Sequence, residues 1–117
     1  LIFCDGAHNP DGAARLAEFL ENNFTNRRII YIIGVLADKE YEKMIETTAK
    51  FANRIYTVAP DNERALSSRE LAFAVRKYHT DVQERSRLAS CLEEVKKEAG
   101  EEDVIVIFGT LSFQKEL

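Results

Sequence analysis

The sequence predicts an α/β fold with a doubly wound, mostly parallel sheet and helices on both of its faces. Three observations carry this prediction. Apolar runs alternate about five times with amphipathic segments, and the connections between them are short. The runs Ile29–Ile33 and Val104–Phe108 show no polar alternation, which is typical of strands covered on both faces. The length of 117 residues fits one domain. The pattern is that of a Rossmann-like fold.

The first half of the chain predicts three strands and two helices. Residues 1–4 are an apolar run that ends at a turn, and they predict a buried strand. Asn9 is a good N-cap and Pro10 a good first helical residue, so we expect a helix over about residues 10–23. The other strands and the second helix of this half are expected at Ile29–Ile33, residues 55–58 and about residues 39–52.

The second half adds two helices and two strands. Ser67 and Glu70 have the spacing of a capping box, which predicts the start of a helix. Residues 81–84 predict a weak strand at or near a sheet edge. Ser86 is expected to cap the next helix, and Val104–Phe108 is a strong buried strand that ends before a glycine.

Composition and charge exclude several classes of function. The formal net charge of −4 gives no long-range attraction to nucleic acid or anionic lipid. No apolar run approaches the roughly 20 residues that a membrane span needs. We therefore expect neither a nucleic-acid nor a membrane partner. The two cysteines form no disulfide framework or metal motif, so a cytoplasmic setting is expected.

Four loops are expected to meet at one edge of the sheet. In doubly wound sheets, ligands bind outside the carboxyl ends of the strands. The loops predicted at that edge are residues 5–12, 34–39, 59–65 and 109–112. Two other residues are predicted to have no chemical role. We expect His79 to be a surface or helix-end residue and Cys4 to behave as a small apolar residue at the end of a strand.

The first of these loops has the features of a nucleotide-facing loop. Asp5 follows a strand, and its carboxylate can accept hydrogen bonds from ribose hydroxyls. His8 can donate to a phosphoryl or tetrahedral oxygen. Asn9 and Pro10 begin a helix, and a helix N-terminus attracts anions. A tight strand-to-helix turn would explain Gly6, Asn9 and Pro10 by geometry alone, but it would not explain the histidine.

The same loop resembles a known family signature. Residues 5–12 (Asp-Gly-Ala-His-Asn-Pro-Asp-Gly) are similar to the signature of the folylpolyglutamate synthase and dihydrofolate synthase family, which Mur ligases share in looser form. Residues 34–41, 64–66 and 109–111 resemble further segments of that family, in the same order and at matching spacings. Three positions depart from the pattern: Thr110 stands where serine is more usual and keeps the hydroxyl, while Ser112 and Lys115 replace an aromatic residue and a glycine.

The resemblance implies an ATP- and magnesium-dependent ligase that joins L-glutamate to a folate or dihydropteroate through an acyl phosphate. It implies that residues 1–117 are the C-terminal domain of a larger enzyme. The P-loop and the magnesium ligands would lie in an N-terminal domain that this chain lacks. By position, His8 would be the catalytic residue, while Asp5 and Asn9 would serve nucleotide binding, Asn9 by holding the loop. Weaker candidates for contacts at the domain cleft are Asp38, Lys39, Arg64 and Thr110.

Other functions remain open at this point. The chain could be the C-terminal domain of a peptidoglycan Mur ligase, or a non-catalytic nucleotide-binding or receiver-like module. A receiver domain needs an aspartate at the end of its third strand, where this chain has Val58-Ala59-Pro60. The chain contains no Gly-x-Gly-x-x-Gly and no Gly-x-x-x-x-Gly-Lys-Ser/Thr, so we expect residues 1–117 alone to be inactive.

Overall fold

Strands and helices alternate along the chain in the computed structural model, which describes residues 1–117. The strands are β1 (Ile2–Cys4), β2 (Ile29–Ile33), β3 (Arg54–Thr57), β4 (Val82–Glu84) and β5 (Val104–Phe108). The helices are α1 (Pro10–Asn23), α2 (Tyr41–Thr48), α3 (Ser68–Val75), α4 (Leu88–Glu98) and α5 (Phe113–Glu116). None of these helices is long and apolar enough to cross a membrane.

The sheet is parallel throughout, in the order β1-β5-β2-β3-β4. Every residue of β2 and β5 is buried, as their unbroken apolar runs predict. One hydrophobic cluster joins α1, α2 and α3 to one face of the sheet, and a second joins α4 and α5 to the other. The predicted doubly wound α/β fold is therefore confirmed.

The winding reverses at β5. Helices α1 and α2, which follow β1 and β2, lie on one face, while α5, which follows β5, lies on the other. The loop after β5 therefore leaves in the opposite direction from the loops on either side of it. Such a reversal opens a crevice at the carboxyl ends of the strands, where doubly wound proteins bind their ligands.

The first strand differs from its prediction. β1 is an edge strand that pairs only with β5, and Ile2 is 43% exposed. The apolar run indicates a strand but not how many neighbours that strand has, so the prediction of a buried strand was wrong. The edge position also contradicts the receiver-like alternative, because the first strand lies inside the sheet in the receiver order. β4 lies at the opposite edge, as expected.

Helix starts test the predicted caps. Asn9 accepts a hydrogen bond from the Gly12 amide at 2.8 Å, so this cap is confirmed. Ser67 likewise accepts from the amide of Glu70 at 3.1 Å. The prediction for Ser86 was wrong, because α4 begins one residue later than that cap requires and has no side-chain cap.

The second helix is shorter than predicted. The α-helix covers Tyr41–Thr48, and a 3₁₀ turn at Ala49–Phe51 completes the expected segment. The hydroxyl of Thr48 donates to the carbonyl of Met44 at 2.8 Å, while the buried Tyr31 hydroxyl donates to the carbonyl of Thr48 at 2.7 Å. The hydrogen bond from the tyrosine hydroxyl to this carbonyl is consistent with the change from α to 3₁₀ geometry at this point.

His79 connects two backbone segments near the start of β4, away from the loops at the carboxyl ends of the strands. Its Nε2 donates to the carbonyl of Ala52 at 2.7 Å, and its Nδ1 accepts from the amide of Asp81 at 3.0 Å. The residue lies just beyond α3, as expected. Since both ring nitrogens are bonded to backbone, its role in this structure is to hold the start of β4 against the turn after α2.

Candidate functional site

The four predicted loops do meet at the carboxyl edge of the sheet. The amide of Gly109 donates to the carbonyl of Ala7 at 2.9 Å, which ties the loop after β5 to the loop after β1. An isolated antiparallel bridge between Leu36 and Ala65 ties the loop after β2 to the loop after β3. Backbone bonds therefore fix the relative positions of the loops, and the side chains on them share one surface.

The loop after β1 orients its two chemical side chains through local bonds. The Oδ1 atom of Asp5 accepts from the amide of Ala7 at 2.8 Å. The Nδ1 atom of His8 lies 2.9 Å from the carbonyl oxygen of Gly6. Because a carbonyl only accepts, Nδ1 carries a proton, and Nε2 becomes a donor only when the ring is a protonated imidazolium. The second carboxylate oxygen of Asp5 makes no bond within the chain.

His8 separates two grooves. The first, which we call the Asp5 groove, has a volume of about 380 Å³, and its lining includes Asp5, His8, Asn9, Arg15 and Phe19. The second, the cationic groove, has a volume of about 310 Å³. Its polar lining consists of His8, Lys39, Asn62, Arg64, Thr110, Ser112 and Lys115. His8 is thus the one chemically active side chain that both grooves share.

The cationic groove is positively charged within an acidic chain. Lys39, Arg64 and Lys115 line it, and no aspartate or glutamate does. The chain as a whole has a formal net charge of −4. Arg64 is paired with Asp38 at 2.9 Å, whereas the salt bridges of the chain include neither lysine. A concave surface with unpaired cations favours an anionic ligand.

Comparison with known proteins assigns the family. The sequence model of the Mur ligase glutamate ligase domain matches residues 1–111.

The chain belongs to this family.

The resemblance seen in the sequence is therefore confirmed. A dihydrofolate synthase/folylpolyglutamate synthase of Bacillus subtilis (strain 168) is 28% identical over 115 residues, which cover 96% of this chain and 26% of that protein. A folylpolyglutamate synthase of Lacticaseibacillus casei is 43% identical over 67 residues, covering 56% of this chain and 15% of that protein. The chain thus spans about a quarter or less of the length of these relatives.

Two solved structures share the fold of this glutamate ligase domain. Mycobacterium tuberculosis folylpolyglutamate synthase complexed with ADP and AMPPCP superposes with a TM-score of 0.80 at 25% identity, over 95% of this chain and 27% of that one. E. coli FolC in complex with DHPP and ADP gives a TM-score of 0.87 at 19% identity, over 98% of this chain and 28% of that one.

The glutamate ligase domain brings the residues proposed from sequence into two groups. Asp5, His8 and Asn9 lie together around the Asp5 groove. Lys39, Arg64 and Thr110 lie with His8 around the cationic groove. Asp38 lines neither groove and instead pairs with Arg64.

Thr110 has a structural contact in addition to its place in the groove. It is 4% exposed, and its Oγ1 accepts from the amide of Ser112 at 3.3 Å. The threonine hydroxyl therefore stabilises the turn that leads into α5. Only a small part of this side chain is open to a ligand.

The groove residues that sequence reasoning missed include Arg15, Phe19 and Lys115. Arg15 and Phe19 lie four residues apart on α1 and line the Asp5 groove. Their i,i+4 spacing places them on one helix face, which is a usable signal once the loop before α1 is suspected. Lys115 stands out in the sequence only as a departure from the family pattern, yet its side chain lines the cationic groove.

The chain offers no metal centre of its own. No group of three or more His, Cys, Asp or Glu side chains lies close enough together to hold a metal ion.

Proposed function

We propose that this chain is the C-terminal domain of an ATP-dependent ligase that adds L-glutamate to the carboxylate of a folate or dihydropteroate. The observation that carries the proposal is the position of His8 between the Asp5 groove and the cationic groove. A ligase of this type must bring a nucleotide and an anionic amino acid to one reaction centre. The enzyme names of the B. subtilis and L. casei relatives support the choice of substrates.

The Asp5 groove is proposed to contact the nucleotide. The free carboxylate oxygen of Asp5 is available to accept hydrogen bonds from ribose hydroxyls. Arg15 has no salt-bridge partner within the chain and is available to an anionic group. Asn9 supports this groove indirectly, because its bond to Gly12 fixes the start of α1.

The cationic groove is proposed to bind a carboxylate of glutamate through Lys39, with Arg64 beside it in the groove lining. Asp38 holds the Arg64 guanidinium at 2.9 Å and so limits its conformations. Lys39 belongs to no salt bridge of the chain, so its ammonium group is available to form a charge-assisted hydrogen bond with a carboxylate. Thr110 forms part of the groove wall together with Lys39 and Arg64.

His8 is proposed to act on the phosphoryl and acyl oxygens. In the first step, an oxygen of the folate carboxylate attacks the terminal phosphorus of ATP, and ADP leaves. In the second step, the glutamate nitrogen attacks the acyl carbon, the bond to the phosphate oxygen breaks, and the nitrogen loses a proton. A protonated His8, held through Nδ1 by Gly6, would donate from Nε2 to an oxygen on which negative charge develops.

The rest of the enzyme is proposed to lie outside this domain. We infer an N-terminal domain that supplies the P-loop and the Mg²⁺ ligands, in a cytoplasmic enzyme. A structurally similar bifunctional folylpolyglutamate synthase/dihydrofolate synthase, solved with Mn, AMPPNP and L-glutamate bound, supports a need for nucleotide, divalent metal and amino acid together. Residues 1–117 alone are predicted to show no glutamate-dependent ATP turnover, and robust turnover by the isolated chain would contradict this division of labour.

An assay of which substrates the full-length protein accepts tests the proposal. The full-length protein that contains this domain would be assayed for ADP release with ATP, Mg²⁺ and glutamate, adding either dihydropteroate or folate, or a nucleotide-linked muramyl peptide. We expect ADP release that requires both glutamate and the pteridine substrate. Release only with the muramyl substrate would instead assign the protein to the peptidoglycan ligases.

A further inference from the structure

We propose that Lys115 is an additional binding residue for the acceptor amino acid and that its charge selects an amino acid with two carboxylates. The inference rests on the proposed function of the cationic groove and adds a residue to it. Lys115 lies beyond residues 1–111, which the family model matches.

The position of Lys115 is fixed by the helix that carries it. Phe113 in α5 is fully buried against the sheet, next to Gly34. The amide of Lys115 donates to the carbonyl of Ser112 at 3.1 Å. With one end of this short helix anchored in the core, the lysine side chain extends along the wall of the cationic groove.

No acidic side chain of this chain neutralises Lys115. The adjacent Glu116 accepts a hydrogen bond from the amide of Asp61 at 3.1 Å and does not line the groove. Lys115 itself belongs to none of the salt bridges. An exposed lysine on a groove wall is commonly matched by a charge on the bound ligand.

The charge of the groove indicates what that ligand carries. Asp38 already balances Arg64, so two cations, Lys39 and Lys115, are left without a partner in the chain. A neutral amino acid offers one carboxylate, whereas a dicarboxylic amino acid offers two. The two unpaired lysines therefore match a dicarboxylic acceptor, with one carboxylate for each.

The test uses the full-length protein and compares three variants. Lys115→Met removes the charge and keeps a long, unbranched side chain, Lys115→Arg keeps the charge, and Lys97→Met removes an exposed charge from α4, away from the groove. Steady-state kinetics would give the KM for glutamate and for ATP, with glutamine as a neutral competitor of similar shape.

We expect Lys115→Met to raise the KM for glutamate by about tenfold, the scale of one lost ionic contact, and to reduce the preference for glutamate over glutamine. The KM for ATP should change by less than about twofold, and Lys115→Arg should restore most of the effect. An unchanged KM for glutamate, or an equal rise in the KM for ATP, would overturn the inference. If the wild type shows no glutamate-dependent turnover, the proposed function itself fails.

Discussion

Gly109 packs directly against the backbone of Gly34, because a β-carbon at Gly109 would overlap the Gly34 carbonyl oxygen and lie 3.0 Å from its carbonyl carbon. Gly109 also has a φ of 119°, which L side chains rarely adopt. This contact lets the loops after β2 and β5 approach each other closely enough to form the cationic groove between them.

Gly109→Ala is therefore predicted to destabilise the chain by more than about 2 kcal/mol, since it adds both backbone strain and a steric clash. Urea unfolding followed by circular dichroism would measure the change. Gly100→Ala is the matched control, because a β-carbon there meets only Asp103 Oδ2, at 3.8 Å. Equal stability of the two variants would show that the loops relax to accept the side chain.

Asn9 is predicted to stabilise α1 through its cap. Asn9→Ala removes the acceptor of the Gly12 amide and should lower the free energy of unfolding by about 1 kcal/mol. Asn9→Asp keeps a side-chain oxygen at that place and should retain most of the stability. Chemical denaturation of the three proteins checks this. If alanine and aspartate behaved alike, the hydrogen bond would not be the source of the effect.

Asp103 is predicted to link stability to acid pH. Its carboxylate accepts from the amide of Gly100 at 2.9 Å and from Arg28 at 3.1 Å, and these contacts hold the pKa of Asp103 below its usual value near 3.8. A depressed pKa contributes stability that is present above the usual value and is lost as pH falls through the folded-state value.

Asp103→Asn should accordingly cost about 1 kcal/mol at pH 7, and this difference from wild type should shrink below about pH 4. Urea unfolding at pH 7, 5 and 3 would measure it. Glu101→Gln, an exposed change in the same turn, should have little effect at any of these pH values. A cost for Asp103→Asn that does not vary with pH would contradict the assignment.

The cysteines are predicted to be poorly reactive in the folded chain. Burial raises the pKa of the Cys91 thiol to about 12. Burial, followed by the charge of Asp5, raises the pKa of Cys4 as well. Since the thiolate is the reactive form, a Cys4→Ser variant should react with a thiol reagent at pH 8 only after denaturation. Rapid modification of Cys91 in the native chain would refute this prediction.

Local signals made several elements predictable from sequence. Asn9 and Pro10 act on neighbouring residues, and the apolar runs of β2 and β5 report directly that both faces are covered. Ser86 shows the limit of such signals, because a capping residue displaced by one position cannot reach the free amides of the helix.

Relations between distant residues were not predictable in the same way. Ile2 pairs with Ile105, and no local pattern states that β5 inserts between β1 and β2. The exposed edge at β1 and the reversal of winding at β5 both follow from that insertion. The place of Lys115 in the groove was unpredictable for the same reason, since only the folded chain brings α5 beside Lys39.

The central claim is that His8, between its two grooves, lies at the reaction centre of a glutamate ligase. Glutamate- and folate-dependent ADP formation by the full-length protein tests this claim most directly, comparing wild type with His8→Ala. Glu18→Ala is the control, since this exposed residue of α1 lies outside residues 5–12 and lines neither groove. The account predicts a loss of at least about tenfold in kcat for His8→Ala and none for the control, on the scale of one lost transition-state contact. An unchanged rate for His8→Ala would contradict it and would leave residues 5–12 as a structural turn.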